Sequence, residues 1–369
     1  MSGLDDLTRA ARCARAERPQ VPLALATLYA VDGSSYRQPG ARLLVDADGR
    51  VLSGAVSGGC LEGDVATHAA AVCASGVPRQ LSYDLRDDLQ TIWGFGAMCD
   101  GIAHLLLEPL VDLSWMERAC AVRDARETGA LITVLEESTA GGTRNWHVGD
   151  PTLRDAAGAL VESAHGAAQP VRGDVMIDGR VVPCLVDPLV PPVSLVLIGA
   201  GRGAEAFASI AHTLGWRVTL MDHRPFVLQS VSVPERVTRI VARAEDGLAH
   251  VTRDARTAVA LLSHQFAIDA EWLALLLPLA LGYVGVLGSR QRAVQLVESL
   301  RNGGLDITPG MERVLHAPIG LDLGGESPES IALAAIAEIE ATLHDRPGGA
   351  LRERQSSIHT RTPTPHVTP

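Results

Sequence analysis

A chain of 369 residues with a formal net charge of −11, 20% charged and 47% apolar residues has an ordinary globular balance and length enough for two domains with substantial cores. The negative charge argues against a dedicated nucleic-acid or anionic-membrane binder. Apolar runs such as Leu273 to Leu281 are too short to span a bilayer.

The amino-terminal stretch is polar and amphipathic with no apolar signal-peptide core, which suits a cytoplasmic protein. The six cysteines are scattered without CxxC or Cys/His ligand spacing, so they read as cytosolic thiols and not as a metal site. Asp5 to Ala16 has the pattern of a short helix, and Pro22 to Val31 that of a buried strand. The loop from Gly33 to Gly40 (GSSYRQPG) is dense in turn residues and hydroxyls. Ala41 to Val45 returns as a strand, and Asp48-Gly49 is a hairpin turn into Val51 to Ala55. That strand runs into Ser57-Gly58-Gly59-Cys60-Leu61-Glu62-Gly63, which opens a helix from Asp64 to about Ala74. A helix start lowers a thiol pKa, and bare glycines let a ligand reach backbone N–H groups. Gly58, Gly59, Cys60 and Glu62 are therefore candidate binding residues, against the plainer reading of Cys60 as a small buried residue at a tight turn. After a strand at Leu81 to Leu85, a second glycine-rich segment, Gly94 to Gly101, carries Cys99 and leads into the strand Ile102 to Leu107.

Leu113 to Glu127 reads as a helix, Leu131 to Glu136 and Arg144 to Val148 as strands, and Thr152 to about Ala164 as another helix. Short strands near Val175 to Ile177 and Val181 to Val186 follow. Asp187-Pro188 and Pro191-Pro192 stiffen a joint, so the sequence predicts an α+β domain over residues 1–190.

The next stretch carries the clearest signal. Leu195 to Ile198 is an apolar run of the kind that fills a strand buried on both faces. Gly199-x-Gly201-x-x-Ala204 follows, then a helix from Ala204 to Leu214, then a strand from Arg217 to Met221 ending in Asp222. This is the strand–turn–helix–strand setting that a dinucleotide fingerprint requires. Gly199 permits the turn, Gly201 lets backbone approach a pyrophosphate, and Asp222 stands where a carboxylate meets ribose hydroxyls. Arg224 stands where it could meet a 2′-phosphate instead, so NAD is only slightly favoured over NADP. The alternation continues with strands at Arg239 to Val241, Thr257 to Leu262 and Tyr283 to Leu287, and helices at Asp269 to Leu277 and up to about Arg301. The predicted fold class is α/β: a doubly wound parallel sheet over residues 191–345, with residues 346–369 as a disordered tail. Ligands of such sheets sit outside the carboxyl ends of the strands, which makes His264, Ser289, Arg290 and Arg292 further candidates. Ser327, Pro328 and Glu329 form a helix start, and that helix runs to about Leu343.

The segments GSSYRQPGARLLV (Gly33 to Val45), SGGCLEGDV (Ser57 to Val65), LVLIGAG with DHRP, VGVLGSRQR (Val284 to Arg292) and HAPIGLDLGGESPESIA (His316 to Ala332) together resemble the XdhC/CoxI family. These are xanthine dehydrogenase accessory proteins that act in maturation of molybdenum hydroxylases. The resemblance implies an amino-terminal domain followed by a Rossmann domain, binding of molybdenum cofactor (molybdopterin), support of its sulfuration, and transfer to an apo molybdenum hydroxylase. It implies a homodimer, and a cysteine desulfurase is a possible further partner. Glycine-rich anion loops, Arg290 and Arg292, and the soft thiols Cys60 and Cys99 suit such a cargo. The alternative is an NAD(P)-dependent oxidoreductase that holds its cofactor with Gly199, Gly201 and Asp222 and uses His264 or His316 as proton donor.

Overall fold

The computed structural model describes residues 3–85, 101–138, 141–147, 151–177 and 179–355. The chain divides into two compact units between Pro191 and Pro192.

In the first unit, α1 (Leu4–Glu17) is followed by β1 (Leu23–Gly33), β2 (Arg42–Asp46), β3 (Val51–Gly54), α2 (Glu62–Ser75), β4 (Arg79–Asp84) and β5 (Gly101–Pro109). β1 is buried over its first seven residues, and it accordingly occupies the centre of an antiparallel sheet of order β3-β2-β1-β5-β4. Alternation then assigns the faces. Ala24, Ala26 and Leu28 join Leu43, Val45, Leu105 and Leu107 against Val65, Ala69 and Val72 of α2. A second antiparallel sheet forms from β6 (Gly129–Val134), β7 (Gly142–His147), β8 (Val171–Ile177) and β9 (Arg180–Pro188), in the order β7-β6-β9-β8. Between β5 and β6 lies α3 (Ser114–Asp124), and between β7 and β8 lies α4 (Pro151–Ala167), which packs Ala157, Val161 and Ala164 on the second sheet. Tyr29 and Leu106 of the first sheet meet Leu135 and Leu185 of the second. The buried Arg42 adds a polar tie by donating to Asp187 at 2.6 Å.

The second unit alternates strand and helix: β10 (Ser194–Ile198), α5 (Arg202–Thr213), β11 (Arg217–Asp222), α6 (Pro225–Ser230), β12 (Thr238–Val241), α7 (Ala244–Gly247), β13 (Thr257–Leu261), α8 (Phe266–Leu276), β14 (Tyr283–Val286), α9 (Arg290–Asn302), α10 (Pro309–Val314), β15 (Leu315–His316) and α11 (Pro328–Leu343). Its sheet runs β12-β11-β10-β13-β14-β15 with every pairing parallel. Counted within the unit, that is the doubly wound order 3-2-1-4-5-6, whose direction reverses between β10 and β13. β10, β13 and β14 are buried along their whole length, because helices cover both faces. Phe207, Ala208 and Ala211 of α5 pack with Ala335, Ile336 and Ile339 of α11 on one side. Trp272, Leu273 and Leu276 of α8 pack with Leu296 and Leu300 of α9 on the other. α6, α7, α10 and β15 have no counterpart in the sequence reading, being too short to show a period. Residues 346–355 are described and include a single 3-10 turn at Leu351–Glu353; the rest of the expected tail lies outside the described residues. No helix among the described residues is long and apolar enough to cross a membrane.

Candidate functional site

At the sheet's reversal point the chain leaves β10 through Gly199, whose φ of +109° only glycine adopts freely. A Cβ there would stand 2.7 Å from the Ser263 nitrogen, so the ends of β10 and β13 approach closely because this residue has no side chain. Gly201 caps α5 in an extended conformation, with open space where a side chain would point. A cleft at these strand ends is lined by Gly199, Asp222, Arg224, Arg243, Ser263 and Trp272, among others.

Asp222 sits in this cleft, but its carboxylate is already occupied. Oδ1 accepts from the Arg224 backbone N–H at 2.9 Å and from Arg224 Nε at 3.0 Å. Oδ2 accepts from the Ala200 N–H at 2.8 Å and from Arg224 Nη2 at 2.9 Å. Burial alone would raise this carboxyl, yet the Arg224 and Ala200 donors outweigh burial and hold it below the usual carboxylate range. Each oxygen has two donors, which uses its accepting capacity. Tested against NAD, the Gly199–Gly201 turn fits a phosphate, whereas Asp222 in this state does not fit a ribose diol.

The other strand-end candidates divide sharply. His264 is exposed, at a φ of +57°, and its ring makes no hydrogen bond among the described residues. Ser289 caps α9 by accepting from the Arg292 N–H at 3.2 Å. Arg290 is exposed. Arg292 turns inward instead: Nη2 donates to Asp269 Oδ2 at 2.7 Å, while Ser263 Oγ donates to Asp269 Oδ1 at 2.5 Å. Asp269 is fully buried, so this arginine neutralises an interior charge and is committed to the scaffold. His316 also has an interior role. It stacks on Tyr283 at 4.1 Å between centroids, and its Nδ1 lies 3.2 Å from Glu338 Oε1. Glu338 Oε2 accepts from Tyr283 and from the Gly320 N–H. Burial would raise Glu338, but His316, Tyr283 and Gly320 together hold it low.

Asp269, Glu338, Arg243 and Trp272 were missed in the sequence. A signal for Asp269 existed: it shares the buried helical stripe of Trp272, Leu273 and Leu276, and an acid on such a stripe requires a partner.

In the first unit, the Gly33–Gly40 loop and the Ser57–Gly63 turn meet where the Tyr36 ring lies beside Gly58. Glu62 is the anchor of the turn. Its Oε1 accepts from the Val56 and Ser57 N–H groups at 3.1 and 2.9 Å, and its Oε2 accepts from Ser57 Oγ at 2.5 Å. Burial would raise Glu62 as well; the Ser57 hydroxyl and the two N–H groups outweigh it and hold the carboxyl low. Ser57 Oγ in turn accepts from the Gly59 and Leu61 N–H groups, both at 3.1 Å. Gly58 and Gly59 stay exposed, and Cys60 is half-buried against the core two residues before the first helical residue. Cys99 lies outside the described residues. Among the described residues no three His, Cys, Asp or Glu side chains are grouped as metal ligands.

Comparison with known proteins places both units. The XdhC Rossmann domain family matches residues 195–339, and the XdhC and CoxI family matches residues 16–84. The chain is 29% identical over 325 residues to a probable xanthine dehydrogenase subunit from Bacillus subtilis, covering 86% of this chain and 92% of that one. It is 31% identical over 159 residues to the uncharacterized protein YqeB of Escherichia coli, across 42% of this chain and 28% of that protein. A solved structure described as a xanthine dehydrogenase from Bacillus halodurans superposes with a TM-score of 0.72 at 26% identity, covering 94% of this chain and 97% of that one. The chain belongs to the XdhC and CoxI family.

Proposed function

We propose that this protein is an accessory factor of a xanthine dehydrogenase-type molybdenum hydroxylase: it binds molybdenum cofactor, supports its sulfuration and delivers it to the apo-enzyme. In this reading it works in the cytoplasm as a homodimer and receives sulfur from a cysteine desulfurase, handling a cofactor as cargo without itself turning over a substrate.

The observation that supports it most is that family matches fall in both units while the likeness to a probable xanthine dehydrogenase subunit runs nearly end to end. The chemistry of the first unit suits the cargo. Glu62 and Ser57 hold the turn from within, leaving exposed Gly58 and Gly59 beside the Cys60 thiol. Bare glycines admit an anionic ligand to backbone, and a thiolate is a soft partner for a sulfurated metal centre. In the second unit the Gly199–Gly201 turn can admit an anion, and of the two arginines at the start of α9 the exposed Arg290 is the one left for it, since Arg292 is paired with Asp269. The oxidoreductase alternative has less support in the geometry, because Asp222 is occupied and His316 is bound to Glu338.

Mass spectrometry of small molecules released from the natively purified protein tests this directly, with pterin fluorescence after oxidation as the second readout. A released pterin and capture of the apo-hydroxylase are expected. Native protein from a molybdenum-replete host that carries no pterin and leaves hydroxylase activation unchanged when deleted would overturn it.

A further inference from the structure

The cleft at the reversal point is not built to recognise a free ribose diol. A diol donates two hydroxyls to an acid at the end of the second strand, and here that acid accepts four hydrogen bonds from its own chain. The competitor is Arg224, whose guanidinium grips both Asp222 oxygens at once. Such a bidentate pair is among the stronger polar contacts, and the Asp222 side chain is only 1% exposed, so little water weakens it. A diol has to displace Arg224 to reach Asp222.

An anion faces no such contest. The Arg224 side chain is 43% exposed, and only Nε and Nη2 donate to Asp222, so Nη1 has no partner among the described residues and sits on a guanidinium already held in place. Arg243 lines the same cleft, is exposed, and makes no side-chain hydrogen bond among the described residues. His223 adds a ring whose Nδ1 is 3.5 Å from Asp222 Oδ1. Glu271 is the other acid in the lining. Ile268, Met221, Ala242 and Trp272 supply apolar wall for a base. We infer that Arg224 is a specificity residue: by occupying Asp222 it closes the cleft to ribose diols and, with Arg243, opens it to a nucleotide carrying a phosphate monoester on its ribose. The inference concerns this cleft alone and stands apart from cofactor delivery.

The test is calorimetric titration of the full-length protein with 2′,5′-ADP, 5′-ADP and inorganic phosphate. The two nucleotides are isomers with two phosphates each: 2′,5′-ADP carries its second phosphate on the ribose O2′, while 5′-ADP carries it on the 5′-phosphate and keeps a free ribose diol. Free phosphate reports what binding owes to the base. The wild type should bind 2′,5′-ADP at least about tenfold tighter than 5′-ADP, as a charge-assisted hydrogen bond supplies. Arg224→Gln should weaken 2′,5′-ADP and strengthen 5′-ADP, because Asp222 is then released; a merely structural arginine would shift both ligands together. Arg224→Lys, which keeps the charge but not the fork, guards against a folding defect in the glutamine variant and should retain part of the preference. Equal or better binding of 5′-ADP by the wild type, an unchanged ratio in Arg224→Gln, or no binding of either nucleotide overturns the inference. A protein that delivers a pterin yet ignores both nucleotides would overturn this inference and leave the proposed function standing.

Discussion

The two glycine turns of this molecule share a construction and differ in their surroundings. In each, a carboxylate ties down loop N–H groups: Glu62 takes those of Val56 and Ser57, and Asp222 takes those of Ala200 and Arg224. Each turn also places a glycine at a similar positive φ, +116° at Gly59 and +109° at Gly199. Around Gly59 there is nothing within 4 Å of where a Cβ would stand; around Gly199 there is the backbone of Ser263. One turn is therefore open to solvent, and the other is clamped between two strands. A glycine fingerprint reports backbone freedom, and only the neighbours decide whether that freedom serves a ligand or serves close packing.

The largest effect should separate the two turns. Gly199→Ala adds strain at positive φ and a clash with backbone that cannot give, for about 3–5 kcal/mol. Gly59→Ala adds strain alone, about 1–2 kcal/mol. Urea denaturation of both variants measures the difference, and equal losses would mean that the clamp at Ser263 is looser than the structure draws it. Gly201→Ser is the control. Its φ is negative, its side chain would point into open space, and serine suits a helix N-cap, so stability should stay within about 0.5 kcal/mol.

Next in size is the loss of the anchoring acid. Glu62→Ala strands the N–H groups of Val56 and Ser57, and an unmet donor with its hydroxyl neighbour should cost about 2–3 kcal/mol. The same turn should respond to acid. The carboxyls of Glu62 and Asp222 are held low in the folded protein, so the unfolded chain binds protons first as pH falls. Their contribution is fully present above the ordinary carboxylate range and is lost as pH drops through the folded values, below about pH 4. Glu62→Ala should lose this acid sensitivity in part, which a series of melts from pH 7 to pH 3 detects.

Glu108 offers the opposite sign in the same unit. It is buried among the strands, accepting from the Thr143 hydroxyl at 2.6 Å and N–H at 2.7 Å, and burial pushes its carboxyl up despite those donors. A raised acid costs stability as pH climbs above its unfolded value, and costs nothing below it. Glu108→Gln should therefore gain on the wild type at neutral pH and converge with it near about pH 4. A gap that instead widens on acidification would mean that Glu108 is ionised and satisfied in the fold.

The fold was legible because its signals are local and repeated. Leu195 to Ile198 announced a doubly buried strand, Thr257 to Leu262 announced a strand, and Ser327-Pro328 announced the start of α11, where Ser327 Oγ does accept from the Ser330 N–H. The site was legible only as a neighbourhood. Asp222 and Glu62 were found as acids beside glycine turns, but a sequence does not state which donors reach an acid first. Arg224, two residues from Asp222, folds back on it; Arg292 reaches Asp269 across helices that sequence spacing cannot relate. Pairings between distant elements are long-range facts, and they decided which candidate arginine stayed free.

The smallest effect asks whether the open turn bears a usable thiol. Burial pushes the Cys120 thiol up to about 11 and raises Cys73 as well, so both hold little thiolate at neutral pH. Cys184 is buried, Cys13 is exposed, and Cys60 is half-buried. Limited alkylation followed by peptide mapping should label Cys13 and Cys60 ahead of Cys73, Cys120 and Cys184. Cys60→Ala should change stability by no more than about 1 kcal/mol, since the side chain packs on the core only in part. Cys13 then serves as an internal standard. Cargo seated on the Gly58–Cys60 turn should slow labelling of Cys60 while Cys13, on α1, reacts at its former rate. If Cys60 lags with Cys73 in the free protein, the turn is closed over its thiol, and the contrast with the clamped turn at Gly199 narrows to the exposed glycines alone.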